Sequence, residues 1–145
     1  MKKKLNVSET CSTSGTKREL FNEGEWTAAR FRGFVVAALR TATRRWEPKY
    51  KALIEAEVGR RVNKTTNKLA KHYRCNHCKE VFPAKEVQVD HINPVVCPVT
   101  GFENWDVFIN RLFCEKENLQ VLCKECHKIK TQQEKKERGH GKKTN

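Results

Sequence analysis

No run of about 18 or more apolar residues occurs in the 145-residue sequence, which excludes a membrane-spanning helix. The opening Met1-Lys2-Lys3-Lys4-Leu5 has the charge of an export signal but not its apolar stretch, because Asn6, Ser8, Glu9 and Thr10 follow at once. The chain is therefore expected to stay where it is made, in the cytoplasm, with no membrane partner. Acidic residues are scarce: Asp and Glu number 17 against 30 Lys and Arg, a formal net charge of +13. An excess of that sign favours a polyanionic partner such as DNA or RNA, although solvated lysines alone would give the same count. Residues for a second full domain are also lacking. The length allows one domain with a modest core, or a small catalytic module with a helical extension.

Cysteine, by contrast, is plentiful. Four of the seven form two C-x-x-C pairs, Cys75/Cys78 and Cys123/Cys126, and in a reducing compartment this suits thiolate metal ligands better than disulfides. Four thiolates at about 2.3 Å complete a tetrahedron around Zn²⁺ and leave no open position, so the expected site is structural. Cys11, Cys97 and Cys114 fall outside the pairs and read as ordinary, as does His77 between two ligands. A simple zinc ribbon closes in about 15–20 residues, whereas here Lys79 to Leu122 intervenes. A further unit is held inside the frame.

Residues 1–20 are rich in Lys, Ser and Thr without apolar periodicity and are expected to form a disordered basic arm. Residues 21–73 read as a helical extension followed by a basic linker. Asn22 and Glu25 have capping-box spacing, Phe21 and Trp26 could staple the helix start, and Phe31, Phe34, Val35, Ala38, Leu39, Ala42 and Trp46 form an apolar stripe. Pro48 should end or kink that helix and begin a second, with Tyr50, Leu53, Ile54 and Val58 as its apolar side and Gly59 as its stop. From Gly59 to Arg74 the chain reads as a mobile, phosphate-contacting linker. Arg40, Arg44, Arg60, Arg61, Lys64, Lys68, Lys128 and Lys130 are the candidate DNA contacts, against the plainer reading of solvated faces.

Within residues 74–136, Val87–Ile92 alternates as a strand, Asn104–Phe113 has helical spacing, Leu119–Leu122 is a second strand and Cys123 to about Lys136 a closing helix; 137–145 is a basic tail. Asp90 and His91 would face opposite ways on a regular strand, and a break at Ile92-Asn93-Pro94 is expected to bring both to a common point. His127 follows the second cysteine pair on the closing helix. Asp90 and His127 could share an open-sided divalent cation, leaving His91 as a base for phosphodiester hydrolysis, since imidazole can take a proton near neutral pH. Asn118 could tie the approach to the second strand to the backbone around His91.

Val89-Asp90-His91-Ile92-Asn93-Pro94 and the segment from Asn118 to Thr131, with His91, Asn118 and His127 as its marker residues, resemble the HNH endonucleases. The resemblance covers about Arg74 to Glu134. It implies an α+β protein with a ββα-metal core, stapled by a Cys₄ zinc site at Cys75, Cys78, Cys123 and Cys126. It further implies His91 as general base, Asn118 as its orienter, and Asp90 with His127 on catalytic Mg²⁺, Mn²⁺ or another divalent cation. Phe108 to Cys114 is similar to a segment of small bacteriophage HNH proteins, some of which are homing-type enzymes that nick or cut double-stranded DNA. The expected protein is a monomeric DNA endonuclease. The alternatives are a non-catalytic zinc-stabilised nucleic-acid-binding module, or a nuclease subunit that needs a phage or host protein partner.

Overall fold

A computed structural model describes residues 20–140; the arm expected before Leu20, Cys11 and the tail after His140 lie outside them. The described residues fall into two compact units that divide between Ala38 and Leu39. In the first, strands β1 (Leu20–Phe21) and β2 (Trp26–Thr27) pair antiparallel, and helix α1 (Ala28–Ala42) follows. The helix therefore starts later than Asn22. Asn22, Glu23 and Gly24 all take positive φ, which a helix cannot accommodate, and they form the hairpin turn instead. Asn22 Nδ2 still donates to Glu25 Oε2 at 3.0 Å, but across the turn. Thr27 Oγ1 accepts from Arg30 N and serves the helix start. Phe21 stacks on Phe31 at 4.0 Å and Trp26 meets Phe34 edge-on at 5.4 Å, so the aromatic staple pairs differently from expectation. No residue of α1 is fully buried.

The second unit begins within the last turn of α1 and continues with a 3₁₀ turn (Thr43–Arg45) and helix α2 (Glu47–Ala56), with Pro48 in the first turn, where a missing N–H costs nothing. Its buried face is Pro48 and Ala52, not Tyr50 and Ile54, which are exposed; small side chains let α2 lie close against β7. Trp46 Nε1 donates to Cys114 O at 2.7 Å.

Residues expected as a mobile linker are instead two strands, β3 (Glu57–Val62) and β4 (Leu69–Arg74), with β5 (Val81–Pro83) completing an antiparallel sheet in the order β3-β4-β5. Gly59, expected to stop a helix, sits at the register shift of β3 with φ +98°. Tyr73 and His72 are buried at the β4 end of this hairpin, and His72 Nδ1 lies 2.8 Å from Ala70 O.

Strands β6 (Val87–His91) and β7 (Leu119–Cys123) form a separate antiparallel pair, with Val87 opposite Cys123 and His91 opposite Leu119. Helix α3 (Trp105–Leu112) lies between them in sequence, capped by Asn104 Oδ1 accepting from Val107 N at 2.9 Å. Helix α4 (Lys124–His140) follows β7 directly. The protein is thus a mixed α+β fold. Among the described residues no helix is long and apolar enough to cross a membrane.

Candidate functional site

The two cysteine pairs converge from a turn after β4 and from the β7–α4 junction. Their four Sγ atoms all lie within 4.8 Å of one another, near the separation of about 3.8 Å that a tetrahedron with 2.3 Å bonds requires. Cys75 and Cys123 are 0 % and 3 % exposed. Burial pushes the Cys75 thiol up, but backbone groups of Cys123, Cys78 and His77 outweigh it and bring it down to about 6. One of these is the Cys123 N–H donating to Cys75 Sγ at 3.3 Å. Burial and the neighbouring thiols push Cys126 up to about 12. Four thiols crowded this closely, with backbone N–H groups aimed at sulfur, fit a structural zinc ion. His77 is exposed yet not incidental, since its Nδ1 lies 3.6 Å from Cys126 Sγ. Cys97 and Cys114 stand outside the cluster.

A second polar cluster lies toward the other end of β6 and β7. Asp90 faces Gln120 across the strands. Asp90 Oδ2 accepts from Gln120 Nε2 at 3.3 Å and from Lys130 Nζ at 2.9 Å. Asp90 Oδ1 faces His127 Nε2, one turn earlier on α4, at 3.6 Å. Two neighbouring ligands of an octahedral cation with bonds near 2.1 Å are about 3.0 Å apart. The Oδ1/Nε2 pair fits such an ion with a slight contraction, and the remaining positions would fall to water or substrate oxygens.

The pairing of β6 runs through His91 and the expected break follows it at Ile92, yet the Asp90 and His91 side chains meet different helices, α4 and α3. His91 Nε2 lies 3.1 Å from Leu112 O. Leu112 closes α3, where carbonyls lack partners within the helix and the helix dipole is negative. A carbonyl can only accept, so Nε2 carries a hydrogen, and in the neutral ring the lone pair is then on Nδ1. Asn118 meets the chain just beyond His91 twice: its Oδ1 accepts from Asn93 N at 3.0 Å and its backbone O from Ile92 N at 2.8 Å.

Lys130 was not expected here. Its ammonium group donates to His91 O at 2.7 Å and forms ion pairs with Asp90 Oδ2 at 2.9 Å and Glu134 Oε1 at 2.8 Å. Burial opposes its charge, but Glu134 and Asp90 prevail and raise its pKa. It thus faces inward rather than toward a phosphate backbone. Arg40, Arg44, Arg60, Arg61, Lys64, Lys68 and Lys128 are all exposed. Gln120 and Glu134 also went unnoticed in the sequence. Glu134 has a readable signal, its i,i+4 spacing from Lys130.

No family model matches the chain, and no solved structure matches it. Over 65 residues the chain is 37% identical to a protein of Lactococcus phage SK1 named "Probable HNH endonuclease". The matched stretch is 45% of this chain and spans about three fifths (61%) of that relative's length.

Proposed function

We propose that the chain is a metal-dependent HNH-type endonuclease that hydrolyses phosphodiester bonds of double-stranded DNA, by nicking or by cutting both strands. The observation that carries this reading is the division of labour around β6. Asp90 Oδ1 and His127 Nε2 are paired at ligand spacing, while His91 is oriented by Leu112 O with Nδ1 left uncommitted. The similarity to the phage protein supports the same reading.

His91 Nδ1 takes the proton of the attacking water, and the bond from Nε2 to Leu112 O keeps the ring in the tautomer that can do so. Asn118 holds Ile92 and Asn93, and with them the backbone on which His91 is mounted. Lys130 fixes the His91 carbonyl and occupies Asp90 Oδ2, which turns Oδ1 toward His127. A divalent cation such as Mg²⁺ or Mn²⁺ on Asp90 and His127 would neutralise charge on the phosphoryl and leaving oxygens. The cysteine cluster ties the β7–α4 junction, and hence the start of the helix that carries His127, to the turn after β4.

The test is conversion of supercoiled plasmid at low salt with Mg²⁺ or Mn²⁺ by the unchanged chain and by His91→Ala. Open circles or linear DNA from the first and none from the second is the expected result. Equal cutting by both would remove His91 from the mechanism. DNA retention on a gel by an inert unchanged chain would favour the zinc-stabilised binding module.

A further inference from the structure

The hairpin β3–β4 takes no part in the chemistry described above. Cross-strand partners share a face of a sheet, so Val62 lies beside Leu69, and Arg60 beside Lys71. His72 lies on the opposite face and Tyr73 on the same face as Leu69, and both are buried at the base of the hairpin, so it is the tip that leaves the Val62/Leu69 pair in water. Val62 and Leu69 are 59 % and 62 % exposed. Single exposed aliphatics are common, but a cross-strand pair at the tip of a hairpin is left in water without a packing reason. Around it, Arg60, Arg61, Lys64 and Lys68 are exposed, and no acidic residue occurs from Val58 to Arg74.

The tip is an ordered turn. Asn63 N donates to Lys68 O at 2.9 Å, and Asn63 O accepts from both Thr66 N and Asn67 N. Lys64 and Lys68 are thereby held next to the apolar pair. At the other end Tyr73 is buried and Cys75 belongs to the cysteine cluster, so the hairpin is anchored at its base. From Cys75 to Leu69 the strand covers about 20 Å. A two-stranded ribbon is an element that the DNA major groove admits, where aliphatic side chains meet thymine methyl groups. In the minor groove such side chains can wedge between base steps, with flanking cations on phosphates.

We infer that the β3–β4 hairpin is a duplex-reading arm. It enters a groove of double-stranded DNA with Val62 and Leu69 against the bases and Arg60, Arg61, Lys64 and Lys68 on the backbone. It rests on the nuclease reading only for the choice of DNA among polyanions. The charge complementarity selects nucleic acid over a second copy of this equally basic chain at the free edge of β3.

The experiment titrates a labelled duplex with the full-length His91→Ala chain over a series of salt concentrations, alone and combined with Lys64→Gln/Lys68→Gln or with Val62→Ser/Leu69→Ser. Removing the two lysines should lower the slope of log affinity against log salt by about 2. Replacing the apolar pair should weaken binding about tenfold at an unchanged slope. With His91 restored, the Val62→Ser/Leu69→Ser chain should cut a long substrate at different positions. Unaltered affinity and slope in both variants overturns the arm, as does failure of the parent chain to bind duplex. A tip variant that changes only the sedimentation coefficient overturns it too, in favour of self-pairing. Cutting by both variants at unaltered rates and positions rejects the arm and leaves the nuclease reading intact. Binding that depends on the arm, without cutting by the unchanged chain, upholds the arm and rejects the nuclease reading.

Discussion

The strand pair β6–β7 carries a donor cluster toward each end, about 13 Å apart along the strands, and the two use their donors differently. At the Val87/Cys123 end, four thiols face one another and two of them are almost fully buried. A zinc ion held there would take every strong donor, so that cluster suits a structural role. Toward the His91/Leu119 end, the protein itself consumes part of the donor set. Lys130 and Gln120 take one oxygen of Asp90, and Leu112 O takes one nitrogen of His91. What remains, Asp90 Oδ1, His91 Nδ1 and His127 Nε2, is left unsaturated. On the proposed nuclease reading, partial satisfaction of a polar cluster keeps donors for chemistry, and complete satisfaction serves stability.

Breaking the saturated end should have the larger consequence. Structural zinc contributes about 10–16 kcal/mol in small metal-stabilised domains, comparable with the whole stability of a domain, about 5–15 kcal/mol. Cys75→Ser, at the most buried ligand, is expected to abolish both zinc content and the cooperative thermal transition, read by metal analysis and circular dichroism. The pH dependence has a definite sign. Cys126, raised to about 12, holds a proton at neutral pH that zinc must displace, so affinity should rise with pH. At Cys78 the Glu80 backbone is outweighed by burial and by Cys75, which raise the thiol, so it holds a proton there too. Cys75, lowered to about 6, adds a further one to displace only below that pH. Competition with a chelating dye should therefore show affinity falling more steeply below about pH 6 than above it.

At the reactive end, His91→Ala should lower the cleavage rate by about 10²–10⁴-fold while zinc content and melting temperature stay near those of the unchanged chain. A parallel loss of zinc would mean that the two ends are not separable. Lys130→Met should have a smaller effect. It leaves two carboxylates without their shared cation and frees Asp90 Oδ2, so the concentration of Mn²⁺ needed for half-maximal cleavage is expected to shift by about 10–100-fold. An equal fall in rate at saturating Mn²⁺ would place the role of Lys130 in orienting His91 through its carbonyl instead.

The two ends also differ in what could be read without coordinates. The C-x-x-C pairs are local patterns, and the alternation of Val87–His91 and the helical spacing of Trp105–Leu112 arise within single elements, so they are legible in sequence. The hairpin β3–β4 is not. Apart from Val62 and Leu69 its outward positions are mostly Arg, Lys, Asn and Thr, which look like a linker, and its pairing depends on β5 and on the cysteine cluster that follows it. Lys130 is hidden for a similar reason. Its partners Asp90 and His91 lie some 40 positions earlier in the chain, and a lysine in a run of basic residues carries no sign that it points inward. The start of α1 misleads in the opposite sense. Asn22 and Glu25 have the spacing of a cap, yet three successive residues at positive φ make them the turn of a hairpin.

The finest distinction at the reactive end concerns Asn118, which holds the backbone after His91 by one side-chain bond and one main-chain bond. Asn118→Ala deletes only the first. The lost bond is worth about 1 kcal/mol, so the melting temperature should fall by a few degrees and cleavage by about tenfold, with the Mn²⁺ requirement unchanged because neither metal-facing atom is touched. Asn118→Asp supplies an acceptor oxygen at the same place and should restore most of the rate. If Asn118→Asp is as slow as Asn118→Ala, the amide acts through its Nδ2 group, on substrate or water, and Asn118 belongs among the reacting groups rather than behind them.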